Sequence, residues 1–144
     1  MKVTLLKRRG KKFRDFKNRE WIKVHPKLYG KKLNWDYWNG KELILKANEG
    51  KKIVGVLTGE LVAGVLYVNE VIIDSTLQGK GIGTKLMGEA ELWAREQKAH
   101  EIYLVTGKAW GAAGFYKHLG YDTVTELQKH YSKIDFLLMR KFLD

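Results

Sequence analysis

The sequence predicts one α/β domain of the α+β kind, a mixed and mostly antiparallel sheet flanked by helices, and three observations carry that prediction. Residues 42–74 are rich in β-branched and aliphatic side chains interrupted by short turns, which reads as three strands in a meander. An amphipathic stretch over residues 81–98 follows, with Ile82, Leu86, Ala90, Trp93 and Ala94 at three- and four-residue spacing. Strand, helix and strand patterns then alternate to the C-terminus. A meander followed by a β-helix-β crossover describes a mixed sandwich and excludes a doubly wound parallel fold.

Taken in order, residues 3–6 read as a short first strand. Residues 14–33 place Phe16, Trp21, Val24, Leu28 and Leu33 at irregular helical intervals, and Pro26 with Gly30 argues for two short helices. Trp35, Tyr37 and Trp38 cluster in a loop before the sheet. The strands of the meander are expected over 43–47, 53–58 and 62–74, with a hairpin turn at Asn48-Glu49-Gly50 and another turn at Thr58-Gly59-Glu60. Val71, Ile72 and Ile73 are apolar in succession, as in a central strand covered on both faces. A strand over 101–106, a short helix over 110–118 ending at Gly120, and strands over 123–128 and 134–142 complete the sheet.

A length of 144 residues suits one domain with its own core, and 44% hydrophobic with 12% aromatic residues excludes a disordered chain. No stretch approaches the roughly 18 apolar residues of a membrane span, so a cytoplasmic, soluble protein is expected. There is no cysteine, hence no thiol nucleophile and no thiolate metal site. The net charge of +11 is unevenly distributed. Residues 1–34 carry thirteen Lys and Arg against Asp15 and Glu20, while the rest of the chain is balanced. That excess reads either as a solvated helix face or as a basic rim for an anionic ligand.

The chemistry concentrates where the third strand runs into Gln78-Gly79-Lys80-Gly81-Ile82-Gly83-Thr84 and a helix begins. A glycine-rich turn at a helix N-terminus points free backbone N–H groups and the helix dipole at one spot, which makes an anion site. The glycines let phosphate oxygens approach the backbone. The spacing is not that of a Walker loop, because no glycine is followed by Lys-Ser or Lys-Thr at the required place. Nor does it fit G-x-G-x-x-G, since Gly79-Lys80-Gly81 leads to Thr84 and Gly81-Ile82-Gly83 leads to Leu86.

Gln78-x-x-Gly81-x-Gly83, after an apolar strand and opening a helix, resembles the coenzyme A loop of the Gcn5-related N-acetyltransferase (GNAT) family. Downstream, Ala113-Gly114-Phe115-Tyr116-Lys117-His118-Leu119-Gly120-Tyr121 is similar to that family's A-x-x-F-Y-x-x-x-G-[FY] helix, and the resemblance covers roughly residues 42–142. It implies a GNAT-like sheet with splayed central strands and acetyl-coenzyme A as cosubstrate. The pyrophosphate would sit on the amides of Gly79, Lys80, Gly81, Ile82, Gly83 and Thr84. The pantetheine arm would lie along Val71, Ile72 and Ile73, with an amide near Ile72 or Ile73 polarising the acetyl carbonyl. Tyr116 would donate to the departing thiolate, and a phenol with a pKa near 10 is protonated at neutral pH.

A base must take the proton of the attacking amine, and Glu70, a carboxylate in an otherwise apolar strand, is the first candidate, with His25 as an alternative. Asp74 reads as a turn or cap residue. The family's asparagine seven residues before the tyrosine is replaced by Ala109, and Leu104 stands where some protein N-terminal acetylases place an acid. The expected reaction is direct acetylation of a primary amine on a small molecule or a protein. Two other classes fit parts of the sequence: a nucleic-acid or ribosome binding module using the basic N-terminus with Trp21, Trp35, Tyr37 and Trp38, and an inactive coenzyme A binding domain. The basic, aromatic residues 1–41 would form the acceptor side and suit an anionic acceptor or nucleic acid. Residues 42–144 would hold the cofactor. A homodimer, no membrane partner and no metal complete the expectations.

Overall fold

A computed structural model describes residues 1–144, which form two compact units, Met1–Asp36 and Tyr37–Asp144. No helix is long and apolar enough to cross a membrane.

In the first unit, residues 3–6 form no strand. The ladders of the sheet run between strands of residues 41–142, and residues 3–6 take part in none of them. The two short helices expected over 14–33 are one helix, α1 (Lys11–Tyr29). Pro26 lies in its last turn, where the missing N–H removes a single helical bond, and its own carbonyl accepts the N–H of Gly30 at 2.9 Å. Gly30 closes the helix at φ 68°, so the glycine rather than the proline ends it. His25 is buried, stacks on Tyr29 at 4.5 Å, and lies with Nδ1 2.9 Å from the carbonyl of Lys31. A carbonyl only accepts, so Nδ1 carries the proton and the ring holds the turn after the helix. The aromatic cluster expected in a loop contains a short helix, α2 (Trp35–Trp38), started by Asn34, whose side-chain oxygen accepts the N–H of Asp36 at 3.0 Å.

The second unit is built on a sheet of six strands in the order β1-β2-β3-β4-β6-β5, where β1 is Lys41–Glu49, β2 Lys52–Val62, β3 Val65–Ile73, β4 Glu101–Gly107, β5 Asp122–Leu127 and β6 Phe136–Phe142. Only β3 and β4 are parallel, joined through α3 (Ile82–Glu96); α4 (Ala112–His118) links β4 to β5. Leu86, Met87, Ala90 and Ala94 of α3 enter one core with Leu57, Leu66, Ile102 and Met139 of the sheet. Gly55 lets the helix settle, because a Cβ there would lie 3.0 Å from both Ile73 Cδ1 and Ile82 Cγ2.

The turn expected at Thr58-Gly59-Glu60 is instead the interior of β2, and the chain reverses at Ala63 and Gly64, with φ of 50° and 82°. Positive φ at both central residues gives a two-residue hairpin whose twist matches its strands, but alanine is an unusual first residue for it, which hid the turn. The glycine at 59 serves a different purpose. Thr58 pairs with Glu70 and Gly59 with Val68, so Asn69 is an extra residue on β3, a bulge. A Cβ at Gly59 would lie 2.8 Å from the carbonyl oxygen of Tyr67. Gly59→Ala is therefore expected to destabilise the fold by about 1–3 kcal/mol in denaturant unfolding.

The bulge opens the sheet. β3 and β4 pair only where Val65, Leu66 and Tyr67 face Glu101, Ile102 and Tyr103, and beyond Asn69 the two strands separate. The N–H of Asp74 donates to the carbonyl of Val54 at 2.8 Å, and this fixes the alternation of the preceding residues. Val71 and Ile73 turn their backbone N–H and C=O away from β2, toward the edge left by β4. The expectation that residues 71–73 are covered on both faces is corrected. Val71 and Ile73 pack against the α3 side, whereas Ile72 is 57% exposed, because α3 covers only the other face of the strand.

Candidate active site

The site is built where β3 ends and α3 begins. Asp74 shapes the turn between them: its carboxylate accepts the N–H of Thr76 at 2.9 Å and the hydroxyl of Thr76 at 2.6 Å, and pairs with Lys52 at 3.1 Å. These contacts, the Thr76 bonds first, hold its carboxyl at about 2, below the ordinary 3.8. A folded value below the free one stabilises the fold above about pH 4, and this is lost as the pH falls through the folded value. Between about pH 4 and pH 2 the melting temperature of the wild-type protein is expected to fall more steeply than that of Asp74→Asn, which lacks the titrating group.

Past this turn, Gly79 and Gly81 adopt φ of 80° and 82°, and a Cβ at either would meet no protein atom within 4 Å. Their requirement is backbone conformation and open space, not packing against the protein. Gly81 caps α3 without any side-chain bond, and the first helical bond runs from Lys85 N–H to Gly81 O at 3.1 Å. The N–H groups of Ile82, Gly83 and Thr84 thus emerge from the helix end with no intrahelical acceptor, together with the positive end of the helix dipole. Gly83 has a packing role as well, since a Cβ there would stand 3.2 Å from Phe115 Cζ. That approach brings α4 against the loop.

A cavity of about 670 Å³ joins these parts. Val71 and Ile73 of β3, then Gln78, Gly79, Gly81, Ile82, Gly83 and Thr84 of the loop, and Tyr116 of α4 all border it. Ile72 and Lys80, also expected at the site, are exposed outside its wall. Leu77, Gly111, Ala112 and Phe115 line it in addition. Of these, Phe115 reads from sequence as core, and its neighbour in the Phe-Tyr pair gave the only available signal.

Tyr116 is buried to 8% exposure between Phe115, at 5.0 Å between ring centroids, and Tyr121, at 5.9 Å. Burial pushes its phenol above the ordinary value of 10.0, so the hydroxyl keeps its proton at neutral pH.

Glu70 stands apart from that cavity. It is exposed, accepts a hydrogen bond from Thr58 Oγ1 at 3.2 Å, and lines a second cavity of about 540 Å³ with Glu42, Glu60 and Asn69. The apolar strand expected to surround it is interrupted by the bulge at Asn69, which turns the carboxylate to solvent. Leu104 is buried in the core and Ala109 lies in an exposed turn, so neither contributes a polar group.

The pattern of this site and sheet extends to known proteins: the model of the acetyltransferase (GNAT) family matches residues 11–121. The chain belongs to the GNAT acetyltransferase family. It is 30% identical over 112 residues to an uncharacterized N-acetyltransferase of Methanocaldococcus jannaschii, covering 67% of this chain and 49% of that relative, so it spans about half the relative's length. Among solved structures, an acetyltransferase from Bacillus cereus has a TM-score of 0.71 at 22% identity, with 97% of this chain and 98% of that one covered. The ribosomal-protein-S18-alanine N-acetyltransferase from Escherichia coli has a TM-score of 0.68 at 13% identity, over 85% and 86% of the two chains. At these identities the two structures establish the GNAT fold: the mixed, mostly antiparallel sheet with its helices.

Proposed function

We propose that this chain is an N-acetyltransferase that moves the acetyl group of acetyl-coenzyme A onto a primary amine by direct attack, with residues 1–144 acting as one acetyltransferase domain. The observation that carries this reading is the 670 Å³ cavity joining a glycine-rich helix N-terminus, the unpaired edge of β3 and the tyrosine of α4. A cavity of this size is in the range that holds cofactors. The residues fit the cosubstrate, since positive φ at Gly79 and Gly81 leaves the space a Cβ would fill open to an anion.

Gln78, Gly79, Gly81, Ile82, Gly83 and Thr84 hold the pyrophosphate, with Lys80 adding charge from outside the wall. Val71 and Ile73, which turn their N–H and C=O groups to the free edge, bind the pantetheine arm. The outward amide of Ile73 supports the acetyl carbonyl better than that of Ile72, which faces β2. Acetyl-coenzyme A supplies the thioester. Tyr116 delivers a proton to the leaving sulfur, and Glu70 receives one from the amine, directly or through water.

Glu42, Glu60 and Glu70 give the second cavity a negative character, which favours an amine carrying a further positive charge over the acidic acceptor that the basic N-terminal residues suggested. Thiol release with a panel of amines tests this. Diamines and basic amines are expected to exceed amino-dicarboxylates in kcat/KM by about tenfold or more at low salt. A preference for the acidic amines would reject the assignment of the acceptor to these carboxylates. Salt-sensitive RNA binding with no response to acetyl-coenzyme A would instead support the nucleic-acid reading.

A further inference from the structure

We propose that Glu91 of α3 is a positioning residue for Tyr116, because its carboxylate ties the C-terminal end of α4 to the helix that begins at the anion loop. The inference rests on the acetyl-transfer reading above. Glu91 Oε1 accepts the hydroxyl of Tyr121 at 3.2 Å, and both of its oxygens lie 3.1 Å from Lys141 Nζ on β6. The same ammonium donates to the carbonyl of Leu119 at 2.9 Å. Leu119 is the C-cap of α4, and the N–H of Tyr121 donates to the carbonyl of Tyr116 at 3.0 Å. The Tyr121 ring also meets the Tyr116 ring edge-on. One carboxylate therefore reaches both the backbone end and the aromatic flank of the helix that carries Tyr116.

The arrangement has a physical reason. α4 has only seven residues, too few to be held by its own hydrogen bonds, and the carbonyl of its C-cap, Leu119, lies past the carbonyls of Phe115, Tyr116 and Lys117 that the N–H groups of Leu119, Gly120 and Tyr121 satisfy. An ammonium at that end satisfies a carbonyl and complements the helix dipole. Lys141 is only 27% exposed and needs a counter-charge, which Glu91, at 12%, supplies. Arg95 also approaches Glu91, at 3.6 Å, but from the same helix, so it does not link elements. The Tyr121 phenol is pushed up by burial and then by the Glu91 charge, and so stays a hydrogen-bond donor. Because α3 starts at the Gly81 cap, the same element sets the phosphate loop and the position of Tyr116.

The test uses the full chain with Glu91→Leu, Glu91→Gln, Tyr116→Phe and the Glu91→Leu/Tyr116→Phe pair, measured for kcat, KM and amide exchange. Glu91→Leu is expected to lower kcat about tenfold while KM for acetyl-coenzyme A stays within about twofold, a loss confined to the chemical step. Glu91→Gln, which still accepts the Tyr121 hydroxyl, recovers part of that loss and serves if the leucine variant fails to fold. In the Tyr116→Phe background Glu91→Leu is expected to cost nothing more, since no hydroxyl is left to position. The Tyr121 amide is expected to exchange about tenfold faster in both Glu91 variants. An undiminished loss in the Tyr116→Phe background would overturn the positioning role, as would unchanged kcat. Unchanged Tyr121 exchange overturns the tether without reference to activity. An unaffected kcat in Tyr116→Phe alone would instead bring down the acid role on which the inference rests.

Discussion

Tyr116→Phe is expected to lower kcat by about 10²–10⁴-fold, the usual contribution of a positioned general acid, with little change in acetyl-coenzyme A affinity. The substitution removes one oxygen and keeps the ring that packs against Phe115 and Tyr121, so the fold should persist. Stopped assays of kcat alongside a binding titration separate the two effects. The pH dependence adds a second signature. The phenol lies above 10.0 because burial disfavours its anion, so Tyr116 keeps its proton below that pH and loses it only as the pH rises through the raised value. Any fall in wild-type rate owed to Tyr116 must therefore lie above pH 10 and be absent from the phenylalanine variant. A limb at neutral pH would report the amine or its base.

Gly81→Val should abolish the thermal stabilisation given by acetyl-coenzyme A. At about 100 times the dissociation constant that stabilisation is about 2.7 kcal/mol, or roughly 6–10 °C for a chain of this size. Gly81 holds φ 82°, which a β-branched residue reaches only with strain, and the added methyl groups would enter the space beside the freed amides of α3. The ligand-free melting temperature of the variant should fall modestly, by the cost of one strained residue. A full ligand-induced shift in Gly81→Val would remove the loop from the binding site.

These two residues show what the sequence made legible. Gln78, Gly81, Gly83 and Tyr116 carry their meaning in local spacing, which backbone geometry largely dictates, and the structure gathers them on one cavity. The order of elements along the chain is equally local, because the period of apolar residues distinguishes β1, β2 and β3 from α3. What the sequence hid depends on partners distant in the chain. The bulge at Asn69 lies where Gly59 pairs with Val68 of the neighbouring strand and comes close to the Tyr67 carbonyl, and Gly59 by itself resembles a turn. Ile72 looks like core by its neighbours, but its exposure is decided by which face α3 covers. Pro26 suggests a break and instead lends its carbonyl to Gly30. Glu70 looked isolated among apolar residues, and its setting with Glu42 and Glu60 appears only once β1, β2 and β3 are in register.

The proposed function requires that residues 78–84 hold the pyrophosphate of acetyl-coenzyme A. Titrating acetyl-coenzyme A into uniformly ¹⁵N-labelled protein tests it most directly. Saturable amide shifts are expected, largest at Gly79, Gly81, Ile82, Gly83 and Thr84, with a second set at Val71 and Ile73. Shifts confined to the basic residues of Met1–Asp36, with the loop unmoved, would contradict it.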